Sequence, residues 1–286
     1  MDIPGCDPGH IKVGNDMDIL QHSLRKNARA IASASYFYEN TGSLCECYHS
    51  IGWSATLQDA KLIGEGLILL GIDYLVPHGF FYSTHSLKKH DAPPSFFYQM
   101  PYWSLFNKLS KRFDEIYKHF EGTYIDSEIL VIDPHSGIPE KGDLEVYEKL
   151  QKLLISNHFD FHIADTDILH KGQIQKGNLK LNDLSIKMII IPPMKVMEKP
   201  LQDWLNHFEE KGGRVWYCDQ DFKEEKFLKE IDNEINRDLS ITENGEEISS
   251  IWSDKRVSEN EIKWFVLNTA DKKYRANITS NNYKLN

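Results

Sequence analysis

Glu46 is the side chain best suited to chemistry in this sequence, because it lies in a stretch of small and apolar residues that would otherwise be buried. The stretch (SLCECYHSIGW, residues 43–53) reads as a strand and a turn. Tyr48, His49 and Trp53 come close behind the carboxylate, and we predict that they contact substrate. A carboxylate at a strand end can act as acid, base or nucleophile on a glycosidic bond. The alternative interpretation is a buried glutamate paired with a cation or a backbone amide.

A second group of candidate residues follows the next predicted strand, residues 72–77. His78 comes directly after that strand, where it would hydrogen-bond a sugar hydroxyl or hold a carboxylate, although a core histidine fits the sequence equally well. Aromatic rings stack on the apolar faces of sugars, but they also fill protein cores. The further residues that we predict to contact substrate are Phe80, Tyr82, Lys89, Asp91, Tyr98 and Trp103.

Hydrolysis of a glycoside requires two carboxyl groups that flank the scissile bond, and this part of the chain supplies one convincing candidate. Asp73 precedes its strand and is expected at the opposite end of the sheet. Asp2 and Asp7 flank a Pro-Gly turn, where they would bind a metal or a sugar or simply face solvent. A calcium ion is conceivable, but no complete set of oxygen ligands is recognisable. The sequence therefore predicts no metal site and no cofactor.

Alternating strands and helices must position these residues. Apolar spacing predicts helices over residues 16–39, 57–70 and 103–120; Thr56 would cap the second and Gly71 would end it. The predicted strands, residues 43–48 and 72–77, precede the polar and aromatic loops, as in a (β/α) barrel whose functional loops follow the strands. A closed barrel needs about eight strands and roughly 250 residues. We therefore interpret residues 1–121 as the C-terminal portion of a barrel.

Residues 122–221 read as an open α/β domain. Predicted strands at 127–132, 159–164, 188–191 and 214–217 alternate with helices at 144–155 and 201–210, which indicates a Rossmann-like or flavodoxin-like parallel sheet. No GxGxxG, phosphate loop or nucleophile elbow is present, so we interpret this domain as structural. Residues 222–286 read as a linker and a short β tail, the start of a β-sandwich-like region, with strands at 262–267 and 275–280.

Composition narrows the function classes. The formal net charge of −10 argues against a nucleic-acid partner, which would require a basic surface. No apolar run approaches the roughly 20 residues of a membrane helix, and no signal peptide is recognisable, so we predict a cytoplasmic location. The four cysteines form no pattern typical of a disulfide framework or a zinc site, and we interpret them as reduced.

Several spaced motifs resemble the α-L-rhamnosidase-like glycoside hydrolases. The matching stretches are DIPG (2–5), ECYHSIGW (46–53), GIDYLVPH (71–78), FFYS (80–83), KHDAPP (89–94) and PYW (101–103). The resemblance covers residues 1–121, and the following α/β domain and the Asn268-Thr269 pair in the tail fit its continuation. It implies that Glu46 is an active-site carboxylate and that His78 and Tyr82 line the sugar pocket. Tyr48-His49-Ser50 departs from the family pattern, which often has a small residue or glycine there.

Three functions remain open from the sequence. The first is a glycoside hydrolase, or a part of one, that acts on O-glycosidic bonds such as those of α-L-rhamnosides. The second is a catalytically silent fragment or carbohydrate-binding remnant. A partial barrel would expose strand edges and apolar surface, so it would self-associate or bind a complementary chain. The third and weakest is a small-molecule or amidotransferase-like α/β domain, which lacks a nucleophile at its first strand-to-helix turn.

Overall fold

Parallel sheets with connecting helices form the framework of the protein. The computed structural model describes residues 2–7, 27–280 and 283, which divide into two compact units, Met1–Thr123 and Tyr124–Asn286. The mixed α/β class predicted from the sequence is confirmed. The strands of the predicted tail belong to the second unit, and the three-part division of the chain stays a prediction.

The first unit contains a three-stranded parallel sheet of order β1-β2-β3. Two short 3-10 helices, Ser86–Lys89 and Trp103–Leu105, lie in the long loop after the third strand. The strands and α-helices are β1 (Gly5–Cys6), α1 (Asn27–Phe37), β2 (Leu44–Cys47), α2 (Leu57–Leu69), β3 (Tyr74–Pro77) and α3 (Phe106–Phe120). The described part of the helix predicted over residues 16–39 is α1, and the remainder, before residue 27, lies outside the described residues.

Local sequence signals explain the bounds of α2. Thr56 accepts a hydrogen bond from the Asp59 N–H, and the Asp59 carboxylate accepts one from the Thr56 N–H, so the two form a capping box. Gly71 follows the helix with φ +101°, a left-handed conformation that favours glycine. Both features agree with the prediction that Thr56 begins this helix and Gly71 ends it.

The two faces of the first sheet differ in burial. Cys45 and Cys47 are fully buried on one face of β2, whereas Leu44 and Glu46 alternate with them and are half-buried. Leu44 lies beside Tyr74, and Glu46 beside Val76, in the parallel register. Because paired residues on neighbouring strands point to the same face, Tyr74 (43% exposed) and Val76 (44% exposed) show that the Glu46 face is open to solvent.

The second unit is built around a four-stranded parallel sheet of order β11-β10-β5-β6 and three small antiparallel sheets. Its helices are α4 (Lys141–Ser156), α5 (Thr166–Lys171), α6 (Lys199–Glu210) and α7 (Glu224–Glu234). Its strands are β4 (Tyr124–Ile125), β5 (Ile129–Ile132), β6 (His162–Ala164), β7 (Gln173–Gln175), β8 (Asn178–Leu181), β9 (Leu184–Ile186), β10 (Met188–Ile191), β11 (Arg214–Tyr217), β12 (Leu239–Glu243), β13 (Glu246–Glu247), β14 (Ile251–Val257), β15 (Ile262–Asn268) and β16 (Asn277–Ser280).

The tail is part of the core of the second unit. Strand β14 pairs with β15 on one side and with β4 on the other, so a segment after residue 250 closes onto residues 124–125. Lys255 of β14 is buried, with its ammonium bound to Asp126 at 2.8 Å and also to Asp238. Burial alone would lower the pKa of Lys255, but these two aspartates raise it. The segment predicted as a linker and short β tail, residues 222–286, therefore contains a strand that packs in the second unit.

No helix within residues 2–7 and 27–280 is long and apolar enough to cross a membrane.

Candidate functional site

Glu46 is the third residue of β2 and lies on the open face of the first sheet. Strand β1 runs parallel beside it, with Gly5 next to Leu44 and Cys6 next to Cys45. One step further along this register, Asp7 reaches the level of Glu46, and Asp7 is exposed. Neighbouring strands in a sheet lie about 5 Å apart, so a continued register would place the backbone of Asp7 beside that of Glu46 at this edge.

Two histidines follow the carboxyl ends of β2 and β3. The His78 N–H donates to the Cys47 carbonyl at 2.8 Å, which continues the pairing of the two strands past Pro77. The rings of His49 and His78 meet edge to face, with centroids 5.1 Å apart. His49 Nδ1 lies 3.2 Å from the Ser50 hydroxyl, whereas the buried Nδ1 of His78 contacts no hydrogen-bond partner among the described residues.

Aromatic side chains form a cluster just beyond the histidines. Phe80, 45% exposed, lies 5.8 Å from Trp103 and 5.4 Å from Phe106, measured between ring centroids. Trp103 stacks on Phe106 at 5.9 Å and meets Phe97 edge to face at 5.0 Å. The cluster of Phe80, Phe97, Trp103 and Phe106 therefore offers ring surface to solvent after the strand ends, and a sugar can stack on such surface.

Backbone contacts hold the long loop that carries these rings. The Trp53 indole N–H donates to the Lys89 carbonyl at 2.6 Å, and the Gly52 N–H donates to the Pro93 carbonyl at 2.9 Å. The Ser95 hydroxyl accepts from the Phe81 N–H at 3.0 Å and donates to Gln99, whose amide donates to the Phe81 carbonyl at 2.7 Å. The loop is thus tied both to the turn after β2 and to itself.

The remaining predicted substrate contacts occupy different environments. Tyr82 is 91% exposed and Tyr98 is 60% exposed, and the Tyr98 hydroxyl donates to the Tyr82 carbonyl at 2.8 Å. Asp91 is exposed and pairs with Lys88 at 3.2 Å. Lys89 is exposed, and its carbonyl is engaged by Trp53.

Tyr48 does not fit the prediction that it contacts substrate. Its side chain is fully buried and packs on Phe96 at 5.0 Å between ring centroids. Burial raises the pKa of Tyr48 well above its usual range, and it also raises the pKa of Cys47, so both groups stay neutral at pH 7. Tyr48 belongs to the core beneath the site.

Asp73 lies at the opposite end of the strands, as expected. Its carboxylate accepts from the Ser43 N–H at 2.8 Å and from the Ser43 hydroxyl at 2.9 Å, before β2 begins. The carboxylate nearest to Glu46 in the register is instead Asp7, and no sequence pattern pairs these two residues. The signal was the Pro-Gly pair at the start of a two-residue strand, but only the register shows which residue follows on beside Glu46. Phe97 and Phe106 were also missed.

Metal ligands do not gather at this site. Within residues 2–7 and 27–280, no three histidine, cysteine, aspartate or glutamate side chains lie close enough together to hold a metal ion. Asp7 and Glu46 are two oxygen donors, whereas calcium takes six to eight.

Comparison with known proteins identifies the type of fold. No family profile and no curated protein matches the sequence. Among solved structures, a rhamnosidase from Novosphingobium sp. PP1Y aligns with a TM-score of 0.64 at 12% identity over 93% of this chain and 29% of its own. The chain has a glycoside hydrolase-like fold. Gan42B, a GH42 β-galactosidase from G. stearothermophilus, aligns with a TM-score of 0.55 at 10% identity over 91% of this chain and 41% of its own. An exo-carrageenase GH42 from Bacteroides ovatus gives 0.54 and 7% over 90% and 39%. The chain thus spans well under half the length of these proteins.

Proposed function

We propose that this chain is a glycoside hydrolase unit that binds a glycan at the carboxyl ends of β1, β2 and β3 and hydrolyses an O-glycosidic bond. The observation that carries the proposal is the placement of Glu46 on an open sheet face, one register step from Asp7, with an exposed aromatic cluster in the segment that follows β3. The glycoside hydrolase-like fold supports it. α-L-Rhamnosides are the first substrates to test, because the sequence motifs resemble that family and a rhamnosidase is among the similar structures.

Two carboxyl groups would share the chemistry. One donates a proton to the leaving oxygen while the other activates a water molecule or attacks the anomeric carbon, so the C1–O bond breaks as water is added across it. Glu46 takes one of these roles, and Asp7 is the candidate for the other. The separation of the two carboxyl groups distinguishes a retaining from an inverting mechanism. About 5–5.5 Å is typical of retention, and about 6.5–9.5 Å is typical of inversion.

The neighbouring side chains would position the sugar. His78, half-buried at the end of β3, would hydrogen-bond a sugar hydroxyl. Phe80 and Trp103 offer ring faces to the apolar side of the sugar, and the exposed Tyr82 and Tyr98 extend that surface. The domain to which these groups belong is the barrel portion predicted over residues 1–121.

The test is hydrolysis of a panel of nitrophenyl glycosides, α-L-rhamnoside included, by the full chain and by matched variants. Glu46→Gln and Asp7→Asn should each reduce kcat by about 10²–10⁴-fold, the usual contribution of a general acid or base. Glu115→Gln, which changes an exposed carboxylate on α3, should leave turnover unchanged. Equal turnover in the Glu46 variant and the parent would refute the proposal.

Mixing the two inactive variants identifies the source of the second carboxylate. If Glu46→Gln and Asp7→Asn regain turnover when combined, then the two groups come from different copies. If activity stays absent in the mixture while the parent is active, both groups act within one chain. Loss of turnover only in Glu46→Gln would exclude Asp7 as the partner.

A carbohydrate-binding protein without hydrolytic activity is the second candidate. The open Glu46 face favours it, because Tyr74 and Val76 there are 43% and 44% exposed, and a carboxylate in water is a weaker catalyst than one in an enclosed site. This candidate predicts sugar binding that is weakened by Trp103→Ala, with no turnover of any glycoside in the panel. If a second copy or another chain covered this face, the site would be enclosed, and the protein would then fit the first candidate, a glycoside hydrolase.

A further inference from the structure

The parallel sheet of the second unit has a crevice at the point where the order of its strands reverses. The first strand of this sheet, β5, has β6 on one side and β10 on the other, so the connections after β5 and β10 leave toward opposite faces. In open α/β sheets, ligands bind outside the carboxyl ends of the strands at such a switch point. Here a cavity of about 440 Å³ lies at that position, within the range of small-molecule sites.

The crevice has an apolar floor. Ile191, Pro192 and Pro193, at the end of β10, are buried beneath it, and Met194 and Met197 form its side. The loops after β5 and β10 are packed tightly here: the Val196 N–H donates to the Gly137 carbonyl at 3.0 Å. A methyl group on Gly137 would lie 2.6 Å from the Met194 sulfur, so only glycine permits this approach. The floor is therefore built by a fixed contact between two loops.

Polar groups occupy the rim and are held in place. The Gln220 amide donates to Asp143 at 2.9 Å, and Asp143 also accepts from the Glu140 N–H at 2.9 Å, which lowers the pKa of Asp143. Lys195 lies 3.6 Å from Glu140. Tyr217, at the end of β11, is 45% exposed and presents its ring beside these groups.

The balance of charge and apolar surface selects the ligand. Three carboxylates, those of Glu140, Asp143 and Asp219, face a single lysine that is itself near Glu140, so an anion such as a phosphate is disfavoured. Glu140 and Asp143 already accept hydrogen bonds in the capping box of α4, and Asp143 accepts another from Gln220, so few of their oxygen lone pairs remain to coordinate a cation. A neutral ring with hydroxyls fits better, because hydroxyls donate to carboxylate oxygens while the ring's apolar face contacts Tyr217 and the methionines.

We propose that this crevice is a second, non-catalytic site that binds a neutral saccharide. The hydroxyls donate to Asp219 and to the Gln220 amide oxygen, and the sugar ring stacks on Tyr217 above the methionine side. The site lies wholly in the second unit and requires no hydrolytic chemistry, so this proposal can be tested independently of the role of Glu46.

The methionines provide a built-in reporter. The chain has six methionines, of which Met194 and Met197 line the crevice, whereas Met100 lies in the first unit and Met188 is buried in β10. The full chain carrying Glu46→Gln, which prevents turnover, is labelled with ¹³C at the methionine methyl groups and titrated with L-rhamnose, D-galactose and D-glucose. Single Met→Leu substitutions assign the signals. We expect saturable shifts at Met194 and Met197 and no shift at Met188.

Variants test the contacts. Tyr217→Ala and Asp219→Ala should each weaken binding at the crevice by about tenfold, equivalent to about 1.4 kcal/mol. Tyr217→Phe, which keeps the ring, should bind as the parent does, and Tyr74→Ala in the first unit should have no effect on the Met194 signal. Circular dichroism of each variant confirms folding.

Two outcomes would overturn the proposal. One is the absence of any shift at Met194 and Met197 with all three sugars. The other is a larger response to inorganic phosphate or to tetramethylammonium than to the sugars, which would reassign the crevice to an anion or a cation. Shifts at Met100 alone would locate sugar binding in the first unit and would count against the crevice while leaving the proposed hydrolase function intact.

Discussion

Trp53 shows how one side chain fixes the shape of the candidate site. The sequence predicts it as a substrate contact, yet its indole N–H is used by the Lys89 carbonyl, 36 residues further along the chain. A hydrogen-bond partner so distant in sequence leaves no local pattern. The sequence therefore places Trp53 near the site but does not predict its contact with Lys89. Its role is to hold the loop that carries the aromatic cluster.

Replacing Trp53 with phenylalanine should loosen that loop. The change removes one hydrogen bond, whose net contribution is about 0.5–1.5 kcal/mol, and leaves most of the ring in place. We expect faster amide hydrogen exchange in residues 86–94. Trp103→Phe is the matched control, because no hydrogen bond of its indole holds the loop among the described contacts. Equal exchange rates in all three proteins would show that Trp53 does not anchor the loop.

Glu247 makes the stability of the second unit depend on pH. Burial alone would raise its pKa, but the His158 ring, whose Nε2 lies 3.3 Å from the carboxylate, and hydrogen bonds from the Ser240 hydroxyl and the Ile241 N–H lower it to about 2, from a usual value of 4.5. Because the folded pKa is the lower one, the stabilisation is fully present above about pH 4.5 and is lost as pH falls toward 2. Glu247→Gln should therefore lose about 1–3 kcal/mol of unfolding free energy at pH 6 and much less at pH 2.5.

Urea unfolding at the two pH values measures this dependence. Glu246→Gln is the control, because Glu246 is exposed and lies next to Glu247 on the same short strand β13. An identical pH slope for the parent and the Glu247 variant would contradict the assignment.

At the scale of elements, α2 and α3 pack so closely that one position admits only glycine. A methyl group added at Gly64 would lie 2.3 Å from the Phe113 ring of α3 and 2.8 Å from the Tyr48 hydroxyl. Gly64→Ala should destabilise the first unit by about 1–3 kcal/mol through overpacking. Gly142→Ala, at an exposed glycine of α4 with nothing nearby, should be neutral or stabilising by about 0.5–1 kcal/mol. Thermal melting separates the two, and a Gly64 variant as stable as the parent would show that α3 can shift.

The elements that sequence patterns predicted are those with strong periodicity or clear caps. Helix α2, with Thr56 and Gly71 at its ends, and the buried strands β5 and β10 were predicted within a few residues. The small sheet of β7, β8 and β9 was missed, because its strands have only three or four residues and polar positions interrupt them. Strand β14 was missed because Asp254, Lys255 and Arg256 read as surface, whereas all three are buried with ionic partners.

At the scale of the whole molecule, the open Glu46 face should make the protein associate. Tyr74 and Val76 are 43% and 44% exposed there, and exposed apolar sheet surface favours contact with another chain. Val76→Lys should weaken concentration-dependent association by at least about tenfold. Ile278→Lys, at an equally exposed residue of the second unit (46%), is the control. Sedimentation velocity measures both, and a parent that stays monomeric at all concentrations would rule out this contact.

The long-range contacts of β14 have a consequence for synthesis on the ribosome. Asp160 accepts from the Lys255 N–H, and Lys255 follows it by 95 residues. At about 5–20 residues per second, the nascent chain would wait roughly 5–20 s between the emergence of Asp160 and that of its partner. In the later part of that interval, once β11 has emerged, the parallel sheet has all four strands but lacks its contacts with β14. This is the period when a chaperone is most useful to the growing polypeptide.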